Sequence, residues 1–288
     1  MEERRVNKIA TIGFFDGVHA GHRYLFECLQ REAQARGLQA LIITFDRHPR
    51  TVLQADYVPQ LLTSLEERKS LLAQYGEVLV LPFEKVQPLT AAQFMQQLKE
   101  QYQVAVLMMG YDHQFGSDRL KRPQDYRALG AQYGIEVLHG SEFIDGEWHV
   151  SSTEIRSALA TGNIAVANEL LGRPYTISGL VVHGKAIGRT IGFPTANIQP
   201  SDAHKIIPKP GVYMAQVDTP TMDAAPAFVN IDTQNEIEVH IPSFRGDLYD
   251  RQLEIRFLRF LREEKRFESL EELREQIKAD VDSILHQG

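Results

Sequence analysis

Short runs of continuous apolar residues at 9–14, 41–45, 78–81, 104–109 and 135–138 alternate with amphipathic stretches through the first half of the chain. Runs of that length without period-two polarity read as strands buried on both faces, and the longer stretches between them as helices. Ser64 with Glu67 and Thr90 with Gln93 have capping-box spacing, in which each side chain takes up a backbone donor that a helix start leaves open. Such alternation predicts a parallel sheet covered by helices on both faces, with ligands bound beyond the carboxyl ends of its strands.

The pattern changes after Leu171-Gly-Arg-Pro174, where a Gly and a Pro stop a helix. Strand-like runs follow at 176–182, 212–217, 227–231, 237–241 and 253–260, separated by Gly, Pro and Asp turns, and they predict a small antiparallel barrel or sandwich. A last helix is capped by Ser269 and Glu272. Its Leu270, Leu273, Ile277, Val281 and Ile284 recur at three- and four-residue spacing, marking the face expected to pack on the barrel. The reading is an α/β domain over 1–172 and a β domain with a closing helix over 173–288.

Composition narrows the function classes. With 288 residues, 43% of them hydrophobic, the chain has enough apolar material for two cores. A net charge of -7 argues against a general nucleic-acid binder, so any phosphate is held locally. The single cysteine, Cys28, excludes an internal disulfide, fits a reducing compartment and is expected to be a buried apolar thiol. Met1-Glu-Glu-Arg-Arg5 is charged and runs straight into a strand, and no apolar stretch matches a bilayer span; the expectation is a soluble, cytoplasmic protein with no membrane partner.

Two segments carry the chemistry. In Gly13-Phe-Phe-Asp-Gly-Val-His-Ala-Gly-His22 a strand end and a turn lead into a helix start, so His19, His22 and the helix N-terminus converge on one point that attracts polyphosphate. His19 and His22 are three apart and share a face if helical. Gly21 lets a nucleotide approach the backbone without meeting a Cβ. Gly13, Phe14 and Asp16 are counted as nucleotide contacts with it. This arrangement suits attack of an ionised phosphate on the α-phosphorus of ATP, which needs positioning and charge stabilisation more than a base. Taken alone, a His-x-x-His pair also reads as a turn feature or a metal ligand set.

The segment resembles the motif of the HxGH nucleotidyltransferases, and Ser151-Ser-Thr-Glu-Ile-Arg156 falls where that superfamily keeps a second phosphate-binding signature. Ser151 with Glu154 also reads as a capping box, and a capped helix start still presents N–H groups, Ser151, Ser152, Thr153 and Arg156 to a phosphate. Residues 44–50 end another strand and read equally as a substrate contact or an ordinary loop. In 110–116, Asp112 reads equally as a site residue or a turn residue.

In the second half, Gly184-Lys-Ala-Ile-Gly-Arg-Thr-Ile-Gly192 sets Gly184, Gly188 and Gly192 beside the cations Lys185 and Arg189, a composition that wraps phosphate. Thr195 and Asn197 offer two oxygens on one side of an extended segment, suited to a magnesium ion that keeps its waters and bridges ATP phosphates. A kinase acting on an alcohol also needs a carboxylate to take its proton, and Glu238 is the candidate, with Glu236 the rival. The other reading of this region is a glycine-rich hairpin with solvated charges.

Together these residues resemble the bacterial bifunctional riboflavin kinase/FAD synthetases from Lys8 to about His286, adding 62–64, 171–175, Gly211-Val-Tyr213 and 257–280 to the segments above. The resemblance implies a Rossmann-like nucleotidyltransferase domain that adenylylates FMN to FAD, and a β-barrel kinase domain that makes FMN from riboflavin, both with ATP and magnesium. It implies that His19, His22, Ser152, Thr153 and Arg156 hold ATP in the first site, that Thr195 and Asn197 bind magnesium, that Glu238 is the kinase base, and that Arg262 lies on the flavin side with Phe267. Three places depart from the family pattern. Asp232-Thr-Gln-Asn235 is shorter than the usual Gly- and Asn-Pro-Thr-containing loop, Arg47 replaces a Pro, and His113-Gln114 replaces an aromatic and basic pair. Two other readings stay open: a diverged flavin- or nucleotide-binding protein with a regulatory role, and an adenylyltransferase for another phosphorylated small molecule.

Overall fold

Five parallel strands, β1 (Lys8–Ile12), β2 (Gln39–Phe45), β3 (Glu77–Leu81), β4 (Val104–Met109) and β5 (Glu136–His139), pair in the order β3-β2-β1-β4-β5. This computed structural model describes residues 7–285 except 55, 112, 119, 121, 141–143, 146–147, 185–191 and 266. Asp112, Lys185, Gly188 and Arg189 therefore lie outside the described residues.

Among the described residues six α-helices accompany the sheet: α1 (Ala20–Arg36), α2 (Pro49–Leu53), α3 (Leu65–Leu72), α4 (Phe83–Val86), α5 (Ala91–Glu100) and α6 (Pro123–Gln132). Alternate strand residues feed two separate cores, which is why the runs are apolar throughout. Ala10, Ile12, Leu41, Ile43 and Leu107 pack with Phe94, Met95 and Leu98 of α5, while Ile9, Ile42 and Val106 pack with Phe26 and Leu29 of α1. Burying each such side chain contributes about 1.5–3 kcal/mol. Both expected capping boxes are formed, Ser64 with Glu67 opening α3 and Thr90 with Gln93 opening α5. Cys28 corrects the sequence expectation: it is half-buried on α1, packed at the edge of the second core, and its Sγ accepts from Arg31 at 3.0 Å. A two-stranded hairpin, β6 (Ile144–Asp145) and β7 (Trp148–His149), follows the sheet.

The second sheet is a closed barrel in the order β10-β11-β12-β9-β8-β13, built from β8 (Tyr175–Val182), β9 (Thr195–Pro200), β10 (Gly211–Thr219), β11 (Met222–Ile231), β12 (Ile237–His240) and β13 (Gln252–Arg262). Closure leaves no open edge, which settles barrel over sandwich. Strict alternation along β8 buries Ile177 and Val181, and Ala215, Ala227, Val229, Val239 and Ile255 on the other strands are buried as well. β9 was not expected as a strand, because Thr-Ala-Asn-Ile-Gln-Pro lacks apolar alternation. Its identity comes from pairing with β12 on one side and β8 on the other.

The chain divides into two compact units, Met1–Ser152 and Thr153–Gly288. The division precedes the change of pattern at 172/173 because two helices, α7 (Ser152–Thr161) and α8 (Ile164–Leu171), go with the barrel. Leu159 of α7 accepts from Lys209 N at 3.1 Å. The Asn168 amide of α8 donates to Phe257 O at 2.9 Å and accepts from Tyr175 N at 2.7 Å, clamping the helix to β13 and β8. In α9 (Leu270–Leu285), Ser269 accepts from Glu272 N while Glu272 accepts from Glu268 N, one residue earlier than a capping box requires. The apolar stripe expected on α9 falls on side chains outside the described ones.

Candidate active sites

The strand order reverses between β1 and β4, so the crevice for a ligand opens beyond their carboxyl ends, where the segment after β1 lies. That segment is strained. Phe15 (φ 56), Gly17 (φ 80) and Val18 (φ 43) all take the left-handed conformation, which for a β-branched residue costs about 1–3 kcal/mol. The surroundings hold it in place. The Asp16 carboxylate accepts from Leu62 N, Thr63 N and the Thr63 hydroxyl at 3.0–3.2 Å. Gly17 N donates to Thr63 Oγ1 at 3.0 Å, and Thr44 donates to Phe14 O at 3.0 Å. Asp16, counted as a nucleotide contact from the sequence, is buried and turned toward this loop, which makes it an anchor of the turn.

The anchored turn delivers the two histidines. His19 is the N-cap of α1, its Nδ1 accepting from His22 N, and the two rings stack with centroids 3.6 Å apart. Burial, then the neighbouring His19, pushes the His22 imidazole well below its ordinary range. His22 Nδ1 has no hydrogen-bond partner among the described residues. At Gly21 a Cβ would sit 3.4 Å from the His19 ring, an ordinary van der Waals contact, so the stack itself does not demand glycine. At Gly13 a Cβ would come within 2.6 Å of the Phe15 ring. The Ser152 hydroxyl donates to Asp16 O at 3.0 Å, tying Ser152 to the turn within the first unit. Thr153 and Arg156 follow on α7, in the second compact unit.

The contacts that join this edge had no sequence signal. Thr63 and Arg68 act over separations of about twenty to fifty residues, which local patterning does not register. Arg68 is 1% exposed, donates to Phe45 O at 2.7 Å and lies 4.1 Å over the Phe14 ring. Phe14, His48 and Tyr57 form a chain of ring contacts at 4.9 and 5.3 Å, with Leu53, Val58 and Tyr111 exposed on the same unit. Arg47 pairs with Glu84 at 2.6 Å.

The second constellation lies on the barrel wall. β9 and β12 pair antiparallel with Asn197 opposite Glu238 and Thr195 opposite His240, and β11 brings Asn230 opposite Glu238 and Phe228 opposite His240. Directly opposed residues share a face, so three strands hold one polar row, Asn197–Glu238–Asn230, beside Thr195–His240–Phe228. Glu236, the rival base, stands outside this row. It closes the β11–β12 hairpin, its N–H donating to Asp232 Oδ1 at 2.8 Å and its carbonyl accepting from Asp232 N at 3.1 Å. The shortened connection at Asp232–Asn235 is thus a complete tight turn, with Asn235 at φ 63, and it leaves the row in register.

Gly184 and Gly192 flank the undescribed part of the β8–β9 connection, Gly192 with φ 86. A Cβ at Gly184 would collide with the Asn197 amide, so the glycine is a cradle for that side chain. The His240 ring is buried and its Nδ1 lies 2.9 Å from Pro194 O. Burial lowers its pKa, the Pro194 carbonyl opposes that, and Arg245 adds to the lowering. Beside Thr195 a cavity of about 330 Å³ opens between the barrel residues Val181, Ala196, Val239 and Ile241 and the segment carrying Phe244, Arg245, Asp247 and Tyr249. The Arg262 guanidinium is held by Asp280 of α9 at 2.7 Å, and the same carboxylate accepts from Gln276. Arg262, expected on the flavin side, therefore ties β13 to α9.

Known proteins match both halves of the chain. A riboflavin kinase family profile matches residues 171–287 and an FAD synthetase family profile residues 1–154. The bifunctional riboflavin kinase/FMN adenylyltransferase of Escherichia coli K12 is 38% identical over 94% of this chain and 90% of its own length. Those of Pseudomonas fluorescens (36%; 95% and 90%) and Bacillus subtilis (32%; 97% and 92%) are similar to it as well. A crystal structure described as a macrolide-efflux protein from Streptococcus pneumoniae superposes with a TM-score of 0.85 at 30% identity, over 97% of this chain and 94% of that one. No helix among the described residues here is long and apolar enough to cross a membrane. The chain belongs to the bifunctional riboflavin kinase/FMN adenylyltransferase family.

Proposed function

We propose that the two reactions divide along the chain near 172/173, adenylyl transfer before it and phosphoryl transfer after it, on the residues assembled above. The protein is a transferase of flavin-cofactor biosynthesis: it phosphorylates riboflavin to FMN and adenylylates FMN to FAD, with ATP as donor in both steps. ATP and flavins are its substrates. A cytoplasmic location fits a chain with one free thiol and ATP as a substrate.

In the first site, the FMN phosphate attacks the α-phosphorus of ATP and pyrophosphate leaves. The attacking oxygen is already ionised, so the site orients and neutralises charge. His19 and His22 supply it from the start of α1, where the helix dipole favours anions. His22 is neutral at pH 7, so it acts as a fixed dipole beside the phosphates. Ser151 and Ser152 complete the phosphate cradle of the first unit in this proposal. The ring chain Phe14–His48–Tyr57, its rings set at 76° and 36° to one another, offers partly exposed aromatic faces and edges for a flavin.

In the second site, Glu238 accepts the proton of the riboflavin hydroxyl as it attacks the γ-phosphorus and ADP leaves. The Thr195 hydroxyl and the Asn197 carbonyl, the latter in the cradle left by Gly184, are hard, neutral oxygens, which fits magnesium. Bound with ATP, that ion would neutralise charge on the phosphates. The adjacent cavity, apolar with a few charged groups, has the size and lining of an adenosine pocket.

The observation that carries the reading is one phosphate-competent constellation in each unit. Incubation with ATP, magnesium and either riboflavin or FMN, followed by separation of products, tests each half. FMN from riboflavin and FAD from FMN are expected. Failure of either product removes the corresponding assignment.

A further inference from the structure

Glu238 and Thr195 lie on different strands, β12 and β9, yet phosphoryl transfer requires the base and the metal-binding oxygen to keep a fixed separation. The residue that links them is His240. It lies two residues from Glu238 on β12, on the same face, and directly opposite Thr195 on β9. Its Nδ1 lies 2.9 Å from the carbonyl of Pro194, the peptide that enters Thr195. A carbonyl only accepts, so Nδ1 carries the proton and the imidazole is the donor. Two rings hold the imidazole in this plane, Phe193 edge-on at 5.4 Å and Phe228 at 6.5 Å. With the ring 7% exposed, little water competes for the bond.

The segment that needs holding is the one His240 grips. Residues 193 and 194 are outside any strand, and β9 starts only at Thr195, so ladder bonds do not fix the entry to the first magnesium ligand. We propose that His240 is a positioning residue of the kinase reaction, whose Nδ1–H···O=C bond to Pro194 sets Thr195 at its working distance from Glu238. This inference rests on Thr195 being a magnesium ligand, as assigned above.

The test compares three variants in the full-length chain. His240→Phe keeps a ring of similar size but lacks the donor. His240→Asn places an amide N–H near the position of Nδ1. Thr195→Ala removes the assigned ligand itself. Riboflavin phosphorylation is followed across a magnesium titration, with FAD formation from FMN and the thermal midpoint recorded on the same samples.

His240→Phe is expected to lose at least thirtyfold in kinase kcat and to raise the magnesium concentration for half-maximal rate about tenfold, while its FAD formation stays at the starting level. His240→Asn is expected to recover the rate to within about fivefold. If His240→Asn is as impaired as His240→Phe, or if His240→Phe keeps the original magnesium dependence while Thr195→Ala shifts it, the inference is wrong and the site assignment stands. If Thr195→Ala leaves the magnesium dependence unchanged, both fall. Nitrogen-15 histidine spectra of the unsubstituted protein read the tautomer without any assay and stay decisive should a variant misfold. A signal from Nδ1–H in slow exchange is expected for His240, and an Nε2–H tautomer refutes the bond.

Discussion

In the proposed reading, the two units place ATP phosphates by opposite means. In the first, backbone and helix do the work: a strained turn after β1 is pinned by Asp16 and Thr63, and it presents the start of α1 with two stacked imidazoles. In the second, side chains on three neighbouring strands do it, with Asn197, Glu238 and Asn230 aligned across the barrel wall. A parallel sheet gives every strand a loop at one edge, so a site there is made from loops and helix ends. A closed antiparallel barrel has side chains in register across strands, so a site there can be made from cross-strand rows. The first arrangement is sensitive to whatever holds the backbone, and the second to individual side chains.

Substitutions that strike one site while sparing the other sharpen this contrast. The largest effect is expected for Glu238→Gln, which removes the proposed proton acceptor and keeps the shape. FMN formation from riboflavin should fall about 10²–10⁴-fold. FAD formation from FMN should stay at its starting level in the same preparation, and a parallel loss in both would break the comparison.

Next is His19→Asn. Asn is a good N-cap, so α1 keeps its start while the imidazole is lost. FAD formation should drop about 10²–10³-fold with kinase turnover retained. A drop of less than fivefold would mean that the helix start does the work without this ring.

Asp16→Ala strikes the support of the first site. It leaves the buried donors Leu62 N and Thr63 N without their acceptor. An expected cost of about 3 kcal/mol should appear as an earlier melting step, with FAD formation falling more steeply than FMN formation on warming. Equal loss of the two activities would show that the anchor serves the whole chain.

The smallest expected effect is the pH dependence of stability. His22 has a folded-state pKa well below 6.5, so between the two values the unfolded chain binds a proton that the folded chain does not. Stability contributed by keeping this ring neutral is present above about pH 6.5 and is lost as pH falls. The melting midpoint should therefore decrease from pH 7 to pH 5, and His22→Gln should flatten that slope. An unchanged slope in the variant would place the effect on other groups, His240 among them.

Much of this was readable in the sequence because it is local. Periodicity over five to seventeen residues marks the parallel strands and helices, and the capping boxes at Ser64 and Thr90 are four-residue patterns that close on themselves. The spacing of His19 and His22 fixes a shared helix start for the same reason. β9 was missed as a strand because its polar residues become a strand only between β8 and β12.

The amino-acid sequence by itself determined which segments are strands buried on both faces, where helices begin, and which residue types are available to two phosphate sites. Tertiary structure alone decided that Asp16 is an anchor, that Arg68 lies over Phe14, that Arg262 is held by Asp280, and that Glu238 rather than Glu236 joins the row with Asn197. Those choices depend on strand register and on contacts between residues far apart in the chain, and neither leaves a trace in local pattern.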